Sequence, residues 1–168
     1  MKTLLSGLGA LLLGVSASAA DKLNVVFILA DDLGWGELGC YGQQKIPTPN
    51  LDRLASEGTR FTQHYSGAPV CAPSRCVLMT GKHLGHAEIR GNLQARTRFP
   101  EFNEGQYPLS ATAVTVAQVF QQAGYVTGAM GKWGLGPVDS TGDPNRKGFD
   151  LFFRSEEHTS ELQSPNTI

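Results

Sequence analysis

The sequence predicts an α/β fold with a mainly parallel sheet flanked by helices, and three stretches of chain support this. Asn24–Ala30 is a continuous apolar run, typical of a strand buried on both faces of a parallel sheet. A helical pattern at 115–123 ends near Gly124, and a second apolar strand, Tyr125–Met130, follows at once. The order of strand, helix and strand favours a parallel sheet because a helix connects strands that run in the same direction.

Shorter elements lie around these strands. Thr48 is placed to cap a helix that starts at Pro49 and ends before Gly58. The remaining segments are a short strand at 59–65, a helix at Pro73–Thr80 that ends at Gly81, a surface loop at 82–109 and a strand that reaches Phe153.

The first 20 residues have the pattern of a signal peptide. Lys2 gives the positive start, Leu4–Val15 the apolar stretch, and residues 17–20 the small side chains at a cleavage site. The apolar stretch is shorter than the ~20 residues that span a bilayer. We therefore expect export to the periplasm or the extracellular space, without stable membrane insertion.

The last 15 residues, 154–168, differ from the rest of the chain because they are polar and lack apolar periodicity. A solvated tail is one interpretation. The string also resembles the conceptual translation of a sequencing adapter, which predicts a non-native tail. We then expect residues 21–153 to be the native folded part of the chain, because the gene would be interrupted at about Phe153.

Composition narrows the functional classes. The 168 residues include 14 Lys and Arg against 15 Asp and Glu, for a net charge of -1. This balance argues against a protein that binds nucleic acid through a broad basic surface. Three cysteines, Cys40, Cys71 and Cys76, are an odd number, so one thiol is left over for a special role in an oxidising compartment.

Charged residues follow both predicted strands, where parallel sheets bind ligands. Asp31 and Asp32 are adjacent carboxylates, which repel unless a cation joins them. Ca²⁺ or Mg²⁺ would suit their oxygens, and an ordinary turn pair is the alternative. Lys132 is either an anion-binding residue or a solvated one. A phosphate-binding P-loop is excluded, because Val126 and Trp133 occupy positions that need Gly and Ser or Thr.

Cys71 precedes the predicted helix that starts at Pro73. A helix N-terminus and the nearby Arg75 both favour a thiolate, so Cys71 is a candidate reactive residue. A small buried side chain, or half of a disulfide with Cys76 or Cys40, is the alternative.

Cys71–Arg75 (CAPSR) followed by Leu78–Gly81 (LMTG) resembles the signature of type I sulfatases. The pair Asp31-Asp32 and the segment Gly131–Trp133 lie in that family's order and spacing. The resemblance covers Leu23–Phe153. It implies an alkaline phosphatase-like α/β fold and a sulfuric ester hydrolase that cleaves aryl sulfates or sulfated sugars.

The same resemblance implies a role for each site residue. A maturation enzyme would convert Cys71 to formylglycine, whose hydrate is a gem-diol. Asp31, Asp32 and the group at position 71 would bind the divalent cation, usually Ca²⁺, with Mg²⁺ as the other option. Arg75 would hold the diol, and Lys132 would bind a sulfate oxygen. One hydroxyl would attack sulfur and expel the alcohol, and the second would lose its proton as sulfate leaves.

The sequence departs from the family at Gly134, where members often have a histidine that bonds the formylglycine hydroxyl. His64, His83 and His86 are candidates to replace that histidine, and Arg90 and Asn92 are candidates to face substrate. Further metal ligands of the family come from later in a main domain more than twice this length. We therefore expect this polypeptide alone to be inactive and to expose an unfinished sheet edge.

Two alternatives remain open at this stage. One is a phosphonate or phosphodiester hydrolase of the same superfamily. The other is a non-catalytic exported binding domain in which Cys71 is disulfide-linked. Conversion of Cys71 would leave Cys40 and Cys76 as an even pair, whose bonding the spacing does not prove.

Overall fold

The computed structural model describes residues 22–102 and 105–154. The chain divides into two compact units, with the division between Arg60 and Phe61. The predicted signal peptide at 1–20 lies outside the described residues, as does the predicted tail apart from Arg154, which ends the last strand. Within the described ranges, no helix is long and apolar enough to cross a membrane.

The first unit is built around helix α1, Pro49–Glu57, with the predicted Pro49 in its first turn and Gly58 as its C-cap. Thr48 occupies the N-cap position, but its hydroxyl does not cap the helix as predicted. It accepts from the Gly39 N–H at 2.8 Å and donates to the Asp52 carboxylate at 3.0 Å. Thr48 therefore joins the preceding loop to α1, because its oxygen accepts from the Gly39 N–H in place of an N–H of the helix.

The predicted strand at Asn24–Ala30 is wrong, since these residues form no strand in the structure. Their side chains are exposed, with Val26 at 82%. A strand buried on both faces needs hydrogen-bonded neighbours and covering layers. The described part of the first unit contains no second strand that could pair with this segment.

The second unit contains helices α2, Cys71–Thr80, and α3, Val116–Gln122, and strands β1, Gly128–Gly131, and β2, Leu151–Arg154. β1 and β2 pair in parallel, with Gly128 opposite Leu151 and Gly131 opposite Arg154. This pairing confirms the predicted α/β class with a parallel sheet. The segment predicted as a surface loop, 82–109, is irregular in its described residues, with short 3-10 turns and one bridge between Gln94 and Gln106. Its predicted surface position is wrong in part, because Ile89 and Leu109 belong to the buried core.

Two strand predictions in this unit need correction. The strand predicted at Tyr125–Met130 begins only at Gly128, and Val126 and Met130 are 92% and 85% exposed rather than buried. No strand forms at 59–65. Both errors have the same cause. The pattern of apolar residues indicates which segments suit a strand, but burial and pairing also need neighbouring strands, which the described sheet does not contain.

Helix α3 begins as the sequence predicts. The Thr115 hydroxyl accepts from the Gln118 N–H at 3.3 Å, and the Gln118 side chain accepts from the Thr115 N–H at 3.0 Å. This reciprocal pair is a capping box, which satisfies two N–H groups that the helix cannot bond itself. The same Thr115 hydroxyl donates to the carbonyl of Lys147 at 2.5 Å, so the cap also fastens α3 to the chain before β2.

A buried lysine holds the loop before α3. Lys147 is 1% exposed, and its ammonium group donates to the carbonyl oxygens of Ser110, Ala111 and Ala113 at 2.5, 3.3 and 2.9 Å. Burial lowers the pKa of Lys147 below its ordinary value, and the nearby Glu88 carboxylate offsets only part of this shift. Three carbonyl partners let a charged group stay in the core.

Asp150 links the sheet to α3. Its carboxylate accepts from the backbone N–H of Thr127 at 2.7 Å, from the Thr127 hydroxyl at 3.0 Å and from the Gln121 amide at 2.7 Å. These hydrogen bonds lower the pKa of Asp150, the Thr127 backbone bond most of all, against a smaller opposing effect of burial. The carboxylate therefore holds together the chain entering β1, the chain entering β2 and the end of α3.

Replacing Lys147 by Met should destabilise the chain by about 2–4 kcal/mol, because three carbonyl oxygens, including that of the buried Ala113, lose their donor. Urea unfolding followed by circular dichroism measures the change. Lys82→Met, at an exposed lysine, is the matched control and should shift the midpoint little. An unchanged midpoint for Lys147→Met would show that the buried charge contributes nothing to stability.

Asp150→Asn should destabilise the chain at neutral pH, since the amide cannot accept all the bonds that the carboxylate accepts. The folded-state pKa of Asp150 lies below the ordinary value of 3.8. Its contribution is therefore present above pH about 4 and is lost as the pH falls through the folded-state pKa. Urea midpoints should differ between wild type and variant at neutral pH and converge in acid. Glu101→Gln, at an exposed carboxylate, should show no such convergence.

Candidate active site

Helix α2 begins at Cys71 itself, two residues earlier than the predicted start at Pro73. Val70 is the N-cap and offers no side-chain hydrogen bond, and Pro73 lies in the first turn, where its missing N–H costs nothing. The half-buried Cys71 thiol therefore lies at the positive end of a ten-residue helix. Gly81 ends the helix, as predicted, and the structure shows it in the left-handed conformation.

Arg75 connects α2 to the end of β1. It lies four residues after Cys71, so both side chains share one face of the helix. Its guanidinium group donates to the backbone carbonyl of Lys132 at 2.5 Å. Lys132 directly follows Gly131, the last residue of β1, as the sequence predicts. The structure therefore brings Cys71, Arg75 and Lys132 into one region of the second unit.

The segment that carries Lys132 is fixed by its neighbour Trp133. The buried indole donates to the Gly142 carbonyl at 2.7 Å and meets the rings of Phe149 and Phe152 edge-on, at 5.7 and 6.1 Å between centroids. Gly142 must be glycine, since an added Cβ would lie 2.1 Å from a backbone oxygen. Lys132 therefore stands beside an anchored residue, at the carboxyl end of β1.

Gly134 occupies the position at which the family often has histidine, and its backbone explains the residue type. Its φ is +74°, a left-handed conformation that glycine adopts without strain. An added Cβ would lie 3.5 Å from the Arg75 side chain. A side chain at this position would therefore be strained and would start beside Arg75.

Asn92 is the side chain that contacts Cys71. Its amide nitrogen donates to the Cys71 sulfur at 3.3 Å, and its carbonyl oxygen accepts from the Ala72 N–H at 3.1 Å. The thiol also lies 3.6 Å from that oxygen. From the sequence, Asn92 is predicted only to face substrate. Its contact with Cys71 could not be predicted, because Asn92 lies on a loop 21 residues away, where no helix or strand periodicity places it near the thiol.

The other candidates make contacts within their own segments. The exposed His64 packs against Phe61 at 5.8 Å between ring centroids, and the His83 ring nitrogen accepts from the Gly85 N–H at 3.1 Å. His86 lies in the 3-10 turn Leu84–His86. Arg90 donates to the Ala87 carbonyl at 3.0 Å.

The chain matches a known protein family along most of its length. The family model described as Sulfatase matches residues 23–167. The chain belongs to the sulfatase family.

Named sulfatases are similar to it in sequence. Arylsulfatase D of Homo sapiens is 44% identical over 141 residues, which cover 80% of this chain and 23% of that protein. Arylsulfatase G of Homo sapiens is 47% identical over 133 residues, covering 79% and 24%. Steryl-sulfatase of Homo sapiens is 38% identical over 142 residues, covering 80% and 24%. The chain thus spans about a quarter of the length of these relatives.

Solved structures show the same fold. One, from work on glycosaminoglycan metabolism by Bacteroides thetaiotaomicron, has a TM-score of 0.68 and 35% identity, and the match covers 81% of this chain and 28% of that one. Another, Ps i-CgsB in complex with k-i-k-neocarrahexaose, has a TM-score of 0.60 and 35% identity, covering 74% and 26%. The α/β class predicted from the sequence is therefore that of the sulfatase fold.

The predicted metal ligands of this sulfatase lie in different units. Asp31 and Asp32 belong to the first unit and are exposed, with Asp32 in the left-handed conformation at φ +54°. Their oxygens are the donors that Ca²⁺ and Mg²⁺ prefer. Among the described residues, no group of three or more His, Cys, Asp or Glu side chains could hold a metal ion. A site of Asp31, Asp32 and residue 71 therefore stays a prediction.

The three cysteines of this sulfatase are all free thiols. Cys76 is fully buried in the apolar core of the second unit. Cys71 is therefore available for chemistry in the structure and is not half of a disulfide with Cys40 or Cys76.

Trp133→Phe should destabilise the chain by about 1–3 kcal/mol, because the buried Gly142 carbonyl loses its donor and the core loses volume. Urea unfolding measures this change. Trp35→Phe is the matched control, since Trp35 is 52% exposed in the first unit. Equal midpoints for the two variants would contradict an anchoring role for Trp133.

Proposed function

We propose that this member of the sulfatase family hydrolyses sulfate monoesters. The observation that carries the proposal is the group of Cys71, Arg75 and Lys132, held together by the bond from Arg75 to the Lys132 carbonyl. The named relatives include arylsulfatases and a steryl-sulfatase, and one structural neighbour is bound to an oligosaccharide. We therefore propose aryl sulfates or sulfated sugars as the substrate class.

Position 71 supplies the nucleophile in this proposal. Once a maturation enzyme has converted Cys71 to formylglycine, the hydrated aldehyde supplies one hydroxyl for attack on sulfur and a second for release of sulfate. The free, half-buried thiol at the first position of α2 fits this conversion, because no disulfide blocks it. The partial positive charge at the start of α2 would favour an anionic oxygen at this position and a sulfate group beside it.

Arg75 and Lys132 would stabilise the negative charge of the reacting sulfate. The guanidinium group of Arg75 brings a positive charge to this region, and its bond to the Lys132 carbonyl limits its movement. Lys132 would add a compact positive charge for a sulfate oxygen. Fixed charges that need no rearrangement during the reaction are the main source of such stabilisation.

A divalent cation, Ca²⁺ or else Mg²⁺, would be held by Asp31, Asp32 and the group at position 71. Such a cation would supply charge stabilisation on the sulfate oxygens. The two adjacent carboxylates support this part of the proposal, since their oxygens suit a hard cation.

The sequence also supports a proposal for the location of the protein. The pattern at 1–20 supports export to the periplasm or the extracellular space, where the substrate and an exported enzyme would meet. The charge of -1 supports a small-molecule or glycan ester rather than a nucleic acid as the partner.

Conversion of Cys71 can be measured by mass spectrometry. We expect the peptide containing residue 71, from a host that has the maturation enzyme, to be lighter by the mass difference between SH₂ and O. Reduction should not restore the cysteine mass, as it would for a disulfide. An unmodified Cys71 in such a host would contradict the proposal.

Activity should be measured on the 168-residue chain and on the longest reading frame of its gene that contains residues 21–153. We expect the longer protein to release sulfate from an aryl sulfate or a sulfated sugar, and the 168-residue chain to release none. Cys71→Ala should reduce the rate on the order of 10³-fold or more. Cys40→Ser is the matched cysteine control and should keep the rate. Faster turnover of a phosphonate ester than of either sulfate would favour the related hydrolase activity instead.

A further inference from the structure

We propose that Asn92 is a positioning residue that holds the nucleophilic group at position 71, an inference that rests on the function proposed above. The amide donates to the Cys71 sulfur at 3.3 Å and accepts from the Ala72 N–H at 3.1 Å. One side chain thus contacts both the reactive atom and the backbone of the next residue. Asn92 orients position 71 and makes no covalent bond itself.

The contact to Ala72 supplies a cap that helix α2 otherwise lacks. Ala72 is the second residue of α2, and its N–H has no partner within the helix. The N-cap residue Val70 has an apolar side chain and provides no cap bond. Asn92 therefore caps α2 from another part of the chain, which fixes the start of the helix relative to the loop that carries the amide.

That loop is anchored on both sides of Asn92. Ile89 and Ala95 are buried in the second unit, at 1% and 0% exposure. The Ala95 N–H donates to the Gly105 carbonyl at 2.9 Å, and the Leu93 carbonyl accepts from the Tyr107 N–H at 2.8 Å. The Asn92 amide is therefore presented from a fixed backbone, although its own side chain is exposed.

An amide suits a hydroxyl on the carbon that now carries the Cys71 sulfur. A hydroxyl can both accept and donate, and the Asn92 side chain offers one donor group and one acceptor oxygen. Gly134 has no side chain, and a Cβ there would start beside Arg75. Asn92 thus supplies from the 82–109 loop the contact to residue 71 that Gly134 cannot make.

Two substitutions separate this role from a purely structural cap. Asn92→Asp keeps an acceptor for the Ala72 N–H but replaces the donor with an acceptor, whereas Asn92→Ala removes both groups. If Asn92 only caps α2, Asp should function as well as Asn, because a carboxylate is favourable at a helix N-terminus. If Asn92 positions residue 71, Asp should fail despite an intact helix.

We expect Asn92→Asp to keep the thermal midpoint of the longer protein and to lower kcat on the order of 10- to 100-fold at equal formylglycine content, with KM little changed. Asn92→Ala should lower both kcat and the midpoint. Gln94→Glu is the matched control, since it adds a carboxylate at an exposed amide two residues away. A kcat for Asn92→Asp within about twofold of wild type would overturn the proposal.

A second measurement uses the unconverted chain and needs no activity. The rate of alkylation of Cys71 by iodoacetamide should fall in Asn92→Asp, since a carboxylate beside the sulfur repels the thiolate, and should stay unchanged in Gln94→Glu. Exchange of the Ala72 amide hydrogen should be faster in Asn92→Ala than in Asn92→Asp. Failure of the wild-type enzyme to release sulfate would refute the proposed function, whereas an unchanged alkylation rate in Asn92→Asp would refute the positioning by Asn92.

Discussion

The bond from the Arg75 guanidinium group to the Lys132 carbonyl is the interaction on which the candidate site depends. It joins α2, which starts at Cys71, to the residue that follows β1. The next residue, Trp133, is buried and packs edge-on against Phe149 and Phe152, so the carbonyl that Arg75 bonds belongs to an anchored segment. One charged side chain thus sets the position of the helix start against the carboxyl end of the strand, where α/β proteins bind ligands.

The rest of the second unit is held by polar groups that bond backbone atoms of distant segments. Lys147 bonds three carbonyl oxygens before α3, the Thr115 hydroxyl bonds the Lys147 carbonyl, and Asp150 bonds the backbone before β1. Loops contain many backbone groups with no partner in a helix or strand, and leaving them buried and unbonded costs stability. The sheet in the described part of this unit has only two strands. These side chains therefore bond backbone groups that neighbouring strands would bond in a larger sheet.

Helices were predicted better than strands, for a physical reason. The starts and ends of helices are local: Pro49, the Thr115–Gln118 box and Gly81 act on residues within one turn. Strands depend on partners far away in the sequence, so the apolar runs at 24–30 and 125–127 suited a strand without forming one. The start of α2 was misplaced by two residues because its cap, Asn92, lies on another loop.

The sequence by itself determined the α/β class, the helices and the order of the chemical residues, including Cys71, Arg75 and Lys132, because motif and periodicity are properties of neighbouring residues. The sulfatase family follows from the same motifs and is confirmed by the match over 23–167. Only the tertiary structure decided that Arg75 reaches the Lys132 carbonyl and that Asn92 contacts Cys71. The residues of the first pair are 57 positions apart in the sequence and those of the second pair 21. Residues so far apart come into contact only when the whole unit folds.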